Sequence, residues 1–197
     1  DQVRAAFAGA DDLVFVDQAE QLGTGHAAMQ ALPDCDPDAR VAVLCGDVPL
    51  LPAETLIRFA AEPCDLGILS VDVPDPRGYG RLVRDADGKP TAIVEQRDAT
   101  PEQQQICEIN TGVMIARASD FMRWLQQTTR DNDQQEYLMT DIVSVALGEG
   151  CAVRAIKADD PDDVQGVNDH AQLNHLERVF QRRQALAMQK QGVRILD

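Results

Sequence analysis

Lysine is scarce: Lys89, Lys157 and Lys190 are the only three among 197 residues, and none lies in a glycine-rich loop. With 18 Lys and Arg against 33 Asp and Glu, the net charge is −15. That balance excludes the basic footprint that a nucleic-acid or anionic-membrane surface needs. An anionic substrate would have to be met by a metal cation or by a few well-placed basic groups. There is no Cys-x-x-Cys pair. The five cysteines, Cys35, Cys45, Cys64, Cys107 and Cys151, are odd in number and scattered, which fits free thiols in a reducing cytoplasm. The three histidines share no metal-ligand spacing, and no signal peptide or apolar run of transmembrane length occurs. Internal repeats and low-complexity segments are missing as well. The sequence opens on Asp1-Gln2-Val3-Arg4 without an initiator methionine and stops shortly after Gly192, so it reads as the interior of a longer chain.

What is present is a 44% hydrophobic content, ordinary for a globular protein, and enough length for one sizeable core with an appendage. The stretch that organises the chain is Arg40-Val-Ala-Val-Leu-Cys-Gly-Asp-Val-Pro-Leu-Leu51. The uninterrupted apolar run Val41 to Cys45 predicts a strand buried on both faces, as in parallel sheets flanked by helices. It ends in Gly46-Asp47. A carboxylate at such a strand end lies where open α/β sheets bind ligands, although Asp47 is also what a simple turn requires. Upstream, Leu13 to Val16 predicts a strand leading into Gln18-Ala-Glu-Gln-Leu-Gly-Thr-Gly-His-Ala27, and Ala27 to Leu32 predicts a helix. The loop Gly23-Thr24-Gly25 at that helix start would offer backbone N–H groups to an anion or polar ring, or would simply begin a helix.

Downstream, Pro52 to Ala61 predicts a helix with Leu56, Phe59 and Ala60 on one face, and Leu66 to Val71 a strand. Residues 80 to 95 read as a β-hairpin turned by Asp87-Gly88 and ending in Glu95, whose simplest reading is a solvated edge charge. Pro101 to Ile106 predicts a short helix and Asn110 to Ala116 a buried strand. A helix capped by Ser119 follows, with Trp124 in the core, then a helix from about Glu136 to Leu147 and a strand over Ala152 to Ile156. Asp159 to Asp163 is an acidic loop without the pattern of a calcium site. Asn168 or Asp169 would cap a last helix that loses its apolar stripe towards Lys190, as an arm leaving the domain does. Strands alternating with helices, a hairpin insert and an acidic strand end together indicate a doubly wound, Rossmann-like α/β sheet.

The motifs Gln18 to Ala27, Gly46-Asp-Val-Pro-Leu50, Gly78-Tyr-Gly-Arg81, Ile93-Val-Glu95, Glu108-Ile-Asn-Thr-Gly112, Glu136-Tyr137 with Thr140-Asp141, and Gly166-Val-Asn168 run in order through nearly the whole chain. In these residues the sequence resembles the uridyltransferase domain of the bacterial GlmU family, bifunctional N-acetylglucosamine-1-phosphate uridyltransferases and glucosamine-1-phosphate acetyltransferases. The resemblance implies a nucleotidyltransferase sheet truncated at its N-terminal βαβ unit over residues 1–170, a helical arm over 171–191, and over 192–197 the start of a left-handed β-helix acetyltransferase domain. It implies transfer of uridylate from UTP to N-acetylglucosamine 1-phosphate, giving UDP-N-acetylglucosamine and pyrophosphate for peptidoglycan and lipopolysaccharide precursors in the cytoplasm. By the same resemblance, Gln18 and the Gly23-Thr24 backbone hold uracil, and Cys45, Gly46 and Asp47 border the nucleotide. Asp47 and Asn168 hold Mg²⁺, and Gly80, Glu95 and Asn110 hold the sugar. Asp47 is then the catalytic residue, within one cation's span of Asn168, and the family's trimer forms through the β-helix domain.

Three departures stand out. Cys45 replaces the family's tyrosine before Gly-Asp, Leu138 replaces the second tyrosine after Glu136, and the opening basic, glycine-rich loop has no counterpart. The last implies that residues 1–197 alone do not turn over. Alternatives to the enzyme are a non-catalytic nucleotide-sugar-binding remnant and a sibling sugar-nucleotide pyrophosphorylase.

Overall fold

The strand Glu108–Arg117 is the one against which the others are arranged, and it runs antiparallel to each of its partners. The computed structural model describes residues 2–195. In chain order the strands are β1 (Arg40–Val43), β2 (Leu66–Asp72), β3 (Arg81–Arg84), β4 (Pro90–Val94), β5 (Glu108–Arg117) and β6 (Val153–Lys157). The helices are α1 (Gln2–Ala6), α2 (Thr24–Ala31), α3 (Ala53–Ala60), α4 (Ala118–Leu125), α5 (Ile142–Gly148), α6 (Pro161–Val164) and α7 (His170–Lys190). One edge of β5 pairs along its length with β2. The other edge is shared: Ile109 opposes Arg81 of β3, while Met114 to Arg117 oppose Val43 to Arg40 of β1. β6 adds to the far side of β2 in parallel, and β4 closes a hairpin with β3.

Alternation along the two central strands divides the apolar residues between two faces, as the two-residue period of a strand requires. Leu66 and Ile68 of β2 with Met114 and Ala116 of β5 pack under Phe121, Trp124 and Leu125 of α4 and Ile142, Val143 and Ala146 of α5. Leu69 and Val71 with Ile109, Val113 and Ile115 pack on the opposite side against Phe59 of α3 and Val164 of α6. Helices therefore cover both faces of a mixed six-stranded sheet.

Several expectations are corrected. The sheet is mixed rather than parallel, because β5 runs against β1 and β2. β1 is four residues long and alternates exposed with half-buried, not buried on both faces, since β5 on one side is its only partner among the described residues. Leu13 to Val16 forms no strand: it finds no pairing partner among the described residues, and Val14 is 75% exposed. The expected helix from Glu136 begins only at Ile142, after a 3₁₀ turn over Met139–Asp141, because residues 136–139 are taken up by contacts with the α2 loop. Residues 101–106 contain a single 3₁₀ turn, Gln103–Gln105. Arg117, not Ser119, is the N-cap of α4, and the Ser119 backbone N–H donates to the Pro37 carbonyl at 3.0 Å. Ala60 of α3 is exposed, and Thr55 is buried with Phe59 in its place.

Part of the acidic loop is α6, capped by Asp160, and Arg183 of α7 reaches Asp160 at 2.9 Å and Asp163 at 2.7 Å. Helix α7 buries only Leu176, with Leu173 and Phe180 left exposed, consistent with a weak apolar stripe. Among the described residues no helix is long and apolar enough to cross a membrane. Beyond α7, residues 193–195 carry no regular element, and residues 196–197 of the expected β-helix start lie outside the described residues.

One polar network centred on buried Glu108 ties four strands together. Glu108 of β5 accepts hydrogen bonds from Arg84 of β3 (2.6 and 2.8 Å) and from the Ser70 hydroxyl of β2 (2.6 Å), with the Lys157 ammonium of β6 at 3.8 Å. Burial acts to raise the Glu108 pKa and is the largest single influence, but the Arg84 and Ser70 hydrogen bonds lower it on balance. A carboxyl lowered in this way stabilises the fold above its ordinary value of 4.5, and that contribution drains away as pH falls below it. Urea unfolding of Glu108→Gln should therefore show a smaller loss of stability than the parent between neutral pH and about pH 3. A parallel decline in the two proteins would remove Glu108 from the account of acid sensitivity.

Candidate functional site

A cavity of about 590 Å³ opens between the start of α2, β1 with the loop that follows it, and residues 134–140. Its walls are mostly aliphatic, with Ala28, Leu32, Val41 and Met114 among them, and Thr24, Cys45, Glu95, Asn110 and Thr140 add polar or thiol groups. A concave apolar site with a few convergent polar groups suits a small organic ligand. No lysine or arginine lines it.

The glycine-containing loop is built by close approach. Gly23 stands at φ +107°, and a Cβ there would meet the Tyr137 carbonyl oxygen at 2.5 Å. Only glycine takes that backbone conformation without strain. The Tyr137 N–H donates to the Leu22 carbonyl and the Gly25 N–H to the Tyr137 carbonyl, both at 2.8 Å, and the Met139 N–H donates to the Thr24 hydroxyl at 3.0 Å. The Gly25 N–H is thus committed within the protein rather than open to a ligand, which corrects the expectation for that donor. Gln18 reaches the loop rather than the cavity wall: its amide nitrogen donates to the Gly23 carbonyl at 3.1 Å and lies 3.0 Å from His26 Nδ1.

At the other end, Gly80, Glu95 and Asn110 come together. The Asn110 N–H donates to the Gly80 carbonyl at 2.9 Å, and a Cβ on Gly80 would stand 3.2 and 3.3 Å from the two Glu95 carboxylate oxygens. Glu95 Oε1 accepts from the Thr140 hydroxyl at 3.2 Å. Asn110 Oδ1 accepts from the Gly112 N–H at 3.2 Å, so that oxygen braces the backbone while its amide donors have no partner among the described residues. The pair therefore presents a donor and an acceptor, the combination that hydroxyl and acetamido groups take up. Burial pushes the Glu95 carboxyl up, opposed by the Thr140 hydrogen bond and reinforced by Asp98. Asp141 is raised by its own burial and then by Glu95 and Asp98. The Cys45 thiol is raised by burial and then by Asp47, and its sulfur lies 2.5 Å from where a Gly112 Cβ would stand.

Asp47 and the Gly166–Asn168 loop also meet. The Val167 N–H donates to the Asp47 carbonyl at 2.9 Å, and a Cβ on Gly166 would be 3.2 Å from Asp47 Oδ2. Asp169, not Asn168, caps α7 by accepting from the Gln172 N–H. The Asn168 backbone N–H goes to Gln172 Oε1 at 2.6 Å, and neither the Asn168 amide group nor the Asp47 carboxylate has a hydrogen-bond partner among the described residues. Two uncommitted oxygen donors on adjoining segments suit a hard divalent cation that draws its remaining ligands from water or phosphate. The described residues contain no cluster of three or more His, Cys, Asp or Glu that could hold a metal without such help.

The residues that sequence reasoning left out of the site are Thr140, which holds Glu95, and Met139, which lines the cavity beside Leu138. Thr140-Asp141 was visible as a motif, but nothing local shows that its hydroxyl points at Glu95.

The arrangement defines an α/β domain whose cavity joins a glycine-bearing helix start to polar groups at the ends of β4 and β5. By sequence it is homologous over its whole length to the bacterial bifunctional protein GlmU. It is 50% identical over 199 residues to the protein of that name from Pseudomonas aeruginosa (strain LESB58). Identity is 46% over 197 residues with the Xanthomonas oryzae pv. oryzae (strain MAFF 311018) protein and 45% over 199 residues with that of Idiomarina loihiensis. Each alignment takes in 100% of this chain and 43% of the relative, so the chain spans less than half the length of the proteins it matches. No family model matches the chain.

Gly23→Ala should cost about 1–3 kcal/mol, because it adds both a strained φ and a backbone clash. Thermal unfolding and amide exchange at Gly25 and Tyr137 check this. Unchanged exchange at those two amides would show that the loop tolerates a Cβ.

Proposed function

We propose that this chain is the sugar-nucleotide-binding part of a uridyltransferase of the nucleotidyltransferase type, acting on UTP and N-acetylglucosamine 1-phosphate. The observation that carries the reading is the meeting of Asp47 with the Gly166–Asn168 loop, two residues after Cys45 on the wall of a cavity that Glu95 and Asn110 also line. Homology to GlmU supports it. In the reaction a phosphate oxygen of the sugar phosphate attacks the α-phosphorus of UTP. The bond from that phosphorus to the bridging oxygen of the β-phosphate breaks, and pyrophosphate leaves with the electron pair.

Such a transfer depends on positioning and charge neutralisation more than on an acid–base pair. Asp47 and Asn168 would hold Mg²⁺, whose oxygen-only donor set they match. That ion would supply positive charge for the phosphates where the cavity wall offers none. Thr24 borders the nucleotide end, with Gln18 bracing its loop and Cys45 and Gly46 leading to Asp47. Glu95 accepts from a sugar hydroxyl, Asn110 donates to the sugar, and the Gly80 backbone packs beside them. The lack of basic residues on the cavity wall favours, as a second reading, binding of UDP-N-acetylglucosamine without turnover.

Titration calorimetry with UDP-N-acetylglucosamine, with and without Mg²⁺, tests the proposal. Glu95→Ala should weaken binding by about 1–3 kcal/mol, the cost of a lost polar contact of this kind. Asp47→Asn should abolish the Mg²⁺-dependent part of the affinity. Binding that ignores both substitutions and Mg²⁺ would overturn the assignment, and pyrophosphate release from UTP separates transferase from binding module.

A further inference from the structure

Arg81 is fully buried, with 0% exposure, at the start of β3, where it is paired with Val94 of β4 and Ile109 of β5. The sequence holds 33 acidic residues, yet no carboxylate forms an ion pair with Arg81 among the described residues. One guanidinium nitrogen donates to the Tyr79 carbonyl and the other to Gln96 Oε1 at 2.6 Å, while Nε is buried with no partner. Gln96 Oε1 also accepts from the Gly78 N–H at 3.2 Å, so one amide oxygen gathers both ends of the turn that carries Tyr79 and Gly80. A buried cation left without a paired anion is costly, and a well-packed apolar side chain in its place is often neutral or stabilising. Stability therefore gives no reason for an arginine here.

We propose that Arg81 is a positioning residue for the sugar end of the cavity. Its buried guanidinium fastens the Tyr79–Gly80 backbone to Gln96 and so fixes where Gly80 and Glu95 stand relative to each other. Gln96 directly follows Glu95, and the Glu95 carboxylate lies against Gly80, so the fastening reaches both partners within one residue. The groups facing Glu95 are Arg81 from β3, Asn110 from β5, Asp98 from the turn after β4, and Thr140 and Asp141 from the turn before α5. Arg81 is the cation in that set and the others are neutral or acidic. It therefore opposes the burial that discourages ionisation of Glu95.

The inference rests on reading Glu95 as the carboxylate that holds the sugar, and the experiment separates the two. Arg81→Gln and Arg81→Lys would be compared with the parent in ¹³C-carboxyl NMR titration of Glu95 without ligand, and in affinity for UDP-N-acetylglucosamine and for UDP. In Arg81→Gln the Glu95 midpoint should rise, because the facing cation is gone. The UDP-N-acetylglucosamine affinity should fall about tenfold with UDP affinity unchanged, the pattern of a lost sugar-end contact. Arg81→Lys should restore the Glu95 midpoint but not the affinity, since an ammonium cannot span Tyr79 and Gln96 as the planar fork does. An unmoved Glu95 midpoint, or equal weakening of the two nucleotides, would overturn the proposal. If the parent itself does not distinguish UDP-N-acetylglucosamine from UDP, the proposed function falls and the Glu95 titration alone decides the role of Arg81. Should Arg81→Gln fail to fold, Gln96→Ala, which keeps the charge and removes the anchor, must reproduce the affinity loss for the proposal to stand.

Discussion

The irregularity in β5 is the constraint on which the site depends. Between Ile68 and Ser70 of β2 the register jumps from Met114 to Asn110, so β5 carries extra residues that β2 does not match. Gly112 absorbs the distortion at φ +80°. Two side chains replace the lost ladder bonds: Thr111 donates its hydroxyl to the Leu69 carbonyl at 2.8 Å, and Asn110 accepts from the Gly112 N–H. A bulge of this kind re-aims the strand and its side chains. Here Asn110, Gly112 and Met114 all line the cavity, while Ile109, Val113 and Ile115 stay in the core on the other face. The distortion also lets one edge of β5 serve two short strands, with β3 at its start and β1 at its end. The loop after β1 and the hairpin of β3 and β4 are thereby brought to the same place.

Charge is disposed in keeping with that geometry. Most arginines that touch the body of the domain are paired with carboxylates: Arg84 with Glu108, Arg183 with Asp160 and Asp163, Arg123 with Asp120 and Glu149. Those pairs dock an element or close a sheet edge. Arg81 alone is fully buried beside the site, and it is spent on backbone and amide oxygens rather than on a carboxylate. In a chain of net charge −15 the cavity wall holds acidic and neutral groups only.

Much of this was legible residue by residue, and the failures share one physical cause. The runs at Leu66, Asn110 and Ala152 became β2, β5 and β6 within a few residues, and the Asp87-Gly88 turn made the expected hairpin. Those strands find partners inside the chain, so local pattern and tertiary pairing agree. Leu13 to Val16 has the same apolar pattern but no partner among the described residues, and pattern without pairing does not make a strand. Direction was illegible too: an apolar run carries no sign of whether its neighbour runs with it or against it, and β5 was therefore missed as the antiparallel member. Glu136 to Leu138 read as helix because the competing bonds, from Tyr137 to Leu22 and Gly25, come from more than a hundred residues away in sequence.

The candidate site follows the same division. Asp47 at its strand end read equally as a ligand group or as a turn, only the resemblance made it functional, and its carboxylate has no hydrogen-bond partner among the described residues. Gln18 and Glu95 show the opposite case. The resemblance made Gln18 a contact to uracil, and its amide nitrogen is engaged with the Gly23 carbonyl and His26 Nδ1, which braces the loop. Glu95 looks like an edge charge at a strand end, yet burial, the Thr140 hydroxyl and the turn fastened by Arg81 set it into the cavity wall. A side chain's availability is decided by which of its donors and acceptors the fold has already used. That accounting exists only once segments as distant as residues 23, 95, 110 and 140 have been brought together.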